Sequence, residues 1–216
     1  MPGESPAIFG DALRRLAGEA AHLYQDGARY WYSTQPNVTS LAEERAELLA
    51  REPEKVVREI EQRIREEVKK HPGEFSGVHP FPQSSQEVPD QLDTRLIILG
   101  TAHPHTRGEE SEAMRFAKEI LEWRGSTPRF YRNALVFLAP DKARLQDLDE
   151  AVRFYLAWES ILAEREQLNL TPHQVRQAEQ QRDAADATIR ARLPETFQWL
   201  LVPYQSDPQG PIEWKE

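Results

Sequence analysis

Apolar residues recur along the chain with two different periods, and the switching between them lays out the elements. Ile8, Leu13, Leu16, Ala20 and Leu23 share a helical spacing. Asp26-Gly27 then gives a tight-turn signal, and the aromatic run Arg29-Tyr30-Trp31-Tyr32-Ser33 reads as a strand. Ser40 with Glu43 makes a capping-box pattern, which places a helix from Leu41 to about Arg51. Pro53 suits the first turn of the next helix. There Val57, Ile60, Ile64 and Val68 form a narrow stripe among Glu, Arg and Lys, and His71-Pro72-Gly73 closes it.

Two short, uninterrupted apolar runs follow a different rule. Arg95–Gly100 and Asn133–Ala139, the second ended by Pro140, read as strands buried on both faces. Between them, Glu109 to Trp123 has a helical period with Ala113, Phe116, Ile120 and Trp123 in register. Strand, helix and strand make a βαβ unit with a right-handed crossover. Upstream, Val78-His79-Pro80-Phe81 makes at most a short strand, because proline removes a ladder donor. Downstream, Asp141 can cap a helix carrying Leu148, Val152, Tyr155 and Leu162. Thr171-Pro172-His173-Gln174 combines a cap, a first-turn proline and a capping-box glutamine, opening a polar helix to about Arg192. Trp199–Val202 reads as the last strand.

The fold class that follows is α/β: an open, mostly parallel sheet flanked by helices, with long charged helices able to project from it. Three regions are expected. Residues 1–38 hold a lead-in, a helix and the aromatic strand, in the order of the last helix and wing of a winged-helix unit. Residues 39–205 form an α/β accessory domain, and 206–216 a loose tail.

Composition narrows the function. A chain of 216 residues can bury a real core, and its net charge of −9 argues against a strong overall attraction to nucleic-acid phosphate, leaving only local patches. Without cysteine there is no disulfide, thiolate nucleophile or thiolate metal site. No apolar run approaches the roughly 18 residues of a membrane helix, and the first residues lack a signal pattern. A soluble, cytoplasmic protein with no membrane partner is expected.

The chemistry-bearing motifs are incomplete. No Gly-Lys pair occurs, so there is no phosphate-cradling P-loop, and no Gly-x-Ser-x-Gly elbow supplies a nucleophile. No catalytic residue can be named, and the chain alone is not expected to hydrolyse nucleotide. Asp90, Asp93 and Asp141 are carboxylates with no legible pairing. Arg124, Arg129 and Arg132 fall within nine positions and, with Asn133, could contact a nucleotide or phosphate. They could also pair with nearby carboxylates while Phe130 and Tyr131 pack. His103, His105 and Glu109 follow a buried strand, where open sheets place ligands. They could hold a divalent metal and centre a metal-dependent hydrolase or nuclease. Arg29, Tyr30 and Tyr32 could contact phosphate and stack on bases as a DNA-binding module, although strand alternation sends at least one aromatic into a core.

Longer stretches carry a resemblance. They are GDALRRLAGEAAHLYQDGARYWYSTQPNVTSLAEERA, VPDQLDTRLIILG, STPRFYRNALVFLAPDKARLQDLDEAVRFYLAWESI, LNLTPHQVRQAE and RLPETFQWLLVP. Together, over about Pro6 to Pro203, they resemble a downstream region of very large prokaryotic AAA+-type ATPases of unknown function. Such ATPases are encoded near DNA methyltransferases and helicases in restriction or antiphage defence clusters. The resemblance implies a non-catalytic accessory or coupling domain, with ATP and magnesium bound in an upstream core and no cofactor here. It implies contacts with that ATPase core, with DNA, or with a methyltransferase or helicase partner. A sharper expectation has Arg129 or Arg132 reaching a nucleotide held by the neighbouring core.

Overall fold

Helix boundaries follow from caps, and the first one corrects the sequence reading. The computed structural model describes the backbone of residues 10, 12, 13, 15, 16, 23–26, 29–32, 37–71, 73–108, 110–207 and 210–216, and their side chains except at 23–26 and 29–32. Asn37, not Ser40, caps the first long helix: its side chain accepts from Thr39 N–H at 2.9 Å, and α1 runs Val38–Leu49. Pro53 opens α2, Pro53–Lys70, as its fixed φ favours. Ser111 caps α3, Glu112–Glu122, accepting from Met114 N–H at 3.2 Å. Helix α4 spans Leu145–Ala163. Thr171 and Gln174 bond each other's backbone N–H groups at the start of α5, Pro172–Thr196, the reciprocal capping box the sequence signals.

By compactness the chain divides into two units, residues 1–53 with 153–186 and residues 54–152 with 187–216. Helices α4 and α5 each carry residues of both units.

In the first unit, β1 (Leu23–Asp26) and β2 (Arg29–Tyr32) pair antiparallel with Asp26 opposite Arg29. Gly10, Ala12, Leu13, Arg15 and Leu16 are helical. Two strands therefore stand where the sequence reading had one, and its Asp26-Gly27 turn lies partly outside the described residues. The unit's core comes from small residues: Val38, Ala42 and Ala46 of α1 pack with Ala157, Trp158 and Ile161 of α4 and Ala178 of α5. Alanines let helix backbones approach, and Trp158 supplies the bulk.

The second unit is built on a five-stranded sheet of order β3-β4-β7-β8-β9. Strands β3 (Gly77–Pro80), β4 (Arg95–Ile98) and β7 (Leu135–Pro140) are parallel neighbours. Strands β8 (Phe197–Tyr204) and β9 (Glu213–Lys215) add antiparallel. The sheet is thus mixed, parallel only in its first three strands. Strand β8 follows α5 without a connecting loop and so runs back along β7. The region 206–216 is not simply a loose tail: β9 pairs with β8, and Trp214 lies 5.8 Å from the Phe137 ring.

Ile97, Leu99, Leu135, Phe137 and Leu201 of the sheet pack with Ala113, Phe116, Ala117, Ile120 and Leu121 of α3. At about 25 cal/mol per Å² of apolar surface buried, this cluster is a main source of the unit's stability. After α3 the chain turns at once through a hairpin, β5 (Trp123–Arg124) and β6 (Thr127–Pro128). Gly125 at its tip has φ +61°, a left-handed conformation that suits glycine.

Candidate functional site: a mounted aromatic and basic segment

The hairpin and the residues after it, Trp123–Asn133, gather most of the arginine-rich candidates, and the structure separates their roles. Arg129 is buried, 3 % exposed. Its Nε donates to Ile120 O at 2.8 Å, Nη1 to Pro89 O at 2.8 Å, and Nη2 to Val88 O at 3.0 Å and Ser85 O at 3.4 Å. Four carbonyls and the Asp90 carboxylate at 3.9 Å therefore surround one guanidinium. Burial lowers its pKa, Asp90 opposes that, and the side chain remains a cation. Its fork joins the end of α3 to the 85–90 loop, so Arg129 does not present its charge outward as an arginine finger would.

Asp90 completes the mount. One carboxylate oxygen accepts Phe130 N–H at 2.8 Å, the other Tyr131 N–H at 3.0 Å. Burial alone would raise the Asp90 pKa. The two backbone bonds, with Arg129 and Arg124 nearby, more than offset this and hold it below its ordinary value. What this mount carries is unusual: Phe130 is 88 % exposed, and Tyr131 next to it in the chain and Trp123 at the start of the hairpin are exposed as well. An exposed phenylalanine on a tightly bonded backbone is a ring held out, not one left over.

The remaining basic candidates border two recesses, one of them lined by Phe130 itself. Arg124 and Phe130 line one of about 360 Å³ with Asp90, Ser126 and Thr127. Arg132 and Asn133 line another of about 390 Å³, together with Lys118, Glu122 and the apolar Leu121, Ile212 and Trp214. Both volumes fall near the lower end of the range of ligand sites, about 300–1,000 Å³.

No protein-family model, curated protein or solved structure matches the chain.

The histidine candidates are placed differently. His105 is wholly enclosed at the carboxyl ends of the parallel strands, its Nδ1 2.7 Å from Ser111 Oγ and its ring edge-on to Trp199 at 5.1 Å. Its Nε2 has no hydrogen-bond partner and lies 3.6 Å from a Glu216 carboxylate oxygen. His103 instead stacks on Phe116 at 4.1 Å, and burial lowers its pKa although Glu112 and Glu119 oppose that. Among the described residues no group of three or more His, Asp or Glu is placed to hold a metal ion, and Glu109 lies outside them. Arg29, Tyr30 and Tyr32 occupy β2, and their side chains also lie outside the description.

Sequence reasoning missed Asp90 as the cap of residues 130–131 and Ser111 as the partner of His105. Arg-Gly-Ser at 124–126 was the available hairpin signal. Among the described residues no helix is long and apolar enough to cross a membrane.

Proposed function

We propose that the chain is a non-catalytic binding module that couples a partner to the larger AAA+-type ATPase its sequence resembles. ATP and magnesium belong, in this reading, to the upstream core. The observation that carries it is the Phe130 mount: a ring 88 % exposed, on a backbone fixed by Asp90 and Arg129. Exposed aromatics beside arginine are the residue types that concentrate binding energy at interfaces. A rigid mount limits the ordering cost of association.

The module contacts the ATPase core, DNA, or a methyltransferase or helicase partner through this face. Arg124, Arg132 and Asn133, rather than the buried Arg129, are in this reading the residues that reach an anionic group. The test is ATP turnover by the parent protein, with and without DNA, comparing native chain with Phe130→Ala and Arg132→Ala. A several-fold loss of stimulated turnover with basal nucleotide binding intact supports coupling. Unchanged turnover in both variants sinks it.

A further inference from the structure

We propose that the ligand of the Trp123–Asn133 face is single-stranded nucleic acid, with a base stacked on Phe130 and flanking phosphates held by Arg124 and Arg132. The inference rests on the binding-module reading above and supplies its partner.

Three observations select this occupant. First, the most exposed large hydrophobic group among the described residues is a flat ring with no polar atom, 88 % exposed, and the same segment also exposes Trp123 and Tyr131 at 42 % and 40 %. Every base has a π-face that such a ring can take, regardless of sequence. Bases in a duplex are already stacked and paired, so only an unpaired strand can offer one.

Second, a cationic group borders the recess that this ring lines, and another follows two residues later in the chain. Arg124 shares the recess lined by Phe130, and Arg132 and Asn133 share the next one. No close ion pair to either guanidinium is found among the described residues, although Arg124 acts on the Asp90 carboxylate at longer range, and Arg132 uses only its Nε, on Arg129 O at 3.3 Å. Elsewhere in the chain, arginines such as Arg63, Arg144 and Arg182 are paired with carboxylates. Arg129, the third cation of the segment, is consumed by carbonyls, so the outward charge sits at the two ends of the aromatic stretch.

Third, the chain's net charge of −9 disfavours a broad electrostatic footprint. A few phosphate contacts around a stacking platform fit that balance better than duplex binding, which relies on many.

The experiment is fluorescence anisotropy of the full 216-residue chain with a labelled oligothymidylate of about 16 nucleotides. Two neutralised phosphates give a slope of log affinity against log salt of about −1.4, and Arg124→Ala and Arg132→Ala each flatten it by about 0.7. Phe130→Ala weakens binding by about five- to a hundredfold, and Phe130→Trp retains it. Because the ring is exposed, the urea midpoint of Phe130→Ala should match that of the native chain, separating lost contact from lost fold.

No binding at low salt, indifference to Phe130→Ala, or equal affinity for a duplex of the same length overturns the inference. If the oligonucleotide fails while Phe130→Ala still lowers turnover in the parent, the strand is the wrong ligand and the coupling module stands, with a protein partner. If Phe130→Ala abolishes oligonucleotide binding without changing turnover, the strand contact is upheld and coupling is the reading that fails.

Discussion

Trp199 donates its indole N–H to Asp141 Oδ2 at 2.8 Å, so one carboxylate fastens β8 to the turn that leads into α4. The other oxygen of Asp141 accepts Ala143 N–H at 2.9 Å and Arg144 N–H at 3.1 Å. Asp141→Ala is expected to cost about 1–2 kcal/mol, the range for losing such a cap, read as a lower urea midpoint. Burial would raise this carboxyl's pKa. The bonds from Trp199, Arg144, Ala143 and Gln198 outweigh burial and hold it below its ordinary value. Its contribution is therefore complete above about pH 4 and lost as the pH falls through the depressed folded value. Asp141→Asn should show less of this acid loss than the native chain.

Arg129→Met should be far more damaging than any change at its exposed neighbours. It leaves four carbonyls and Asp90 without their shared donor. A loss of about 3 kcal/mol or more is expected, because unsatisfied buried polar groups cost much more than a net hydrogen bond returns. Arg129→Lys should rescue only part, since an ammonium cannot reproduce the planar fork. Chemical denaturation of the three chains checks the order.

Stability should fall as the pH drops below about 6.5, well before the carboxylates titrate. Burial holds His79 below its ordinary pKa, with Arg95 and Arg129 adding to the effect; burial does the same to His103 against Glu112 and Glu119. A depressed folded pKa means that the unfolded chain binds protons first, so stability is full above the unfolded value and declines as acid is added. His79 Nε2 accepts from Arg95 Nη1 at 3.1 Å in its neutral form. The double variant His79→Gln, His103→Phe should flatten the profile between pH 7 and about pH 5; an unchanged slope refutes this assignment.

In the first unit, Ala42 is completely buried between Val38, Ala46 and the α4 residues Ala157, Trp158 and Ile161. Ala42→Leu adds volume to a site with no room for it and should cost about 1–3 kcal/mol. Ala50→Leu, just past the end of α1 where the chain is exposed, should change stability by less than about 0.5 kcal/mol. Thermal unfolding of the two variants separates packing from a general effect of leucine.

Periodicity made the buried strands readable. Ile97, Leu135 and Leu201 fall in the three apolar runs that became β4, β7 and β8, and the Thr171–Gln174 box fell where expected. What escaped were features decided by partners distant in sequence. Trp123 keeps helical register with Ile120 yet leaves the helix, because Gly125 turns the chain and donates to Ser85 Oγ at 3.1 Å. Trp214 is a short strand's residue packed against Phe137, and no local pattern at 206–216 announces it. Direction of β8 was also invisible, since an apolar run reads alike either way along a sheet. The candidate site was half legible: an arginine cluster is visible in the letters, but which arginine faces inward depends on carbonyls up to 44 positions away.

The mount at Asp90 and Arg129 divides this surface into parts with different freedom to change. Residues 90 and 129 hold backbone and so constrain each other, whereas the side chains at 130 and 131 bear little of the fold's weight. The tip can thus diversify one substitution at a time while its socket stays fixed. Retargeting would then require no refolding, only a new side chain on an old bracket.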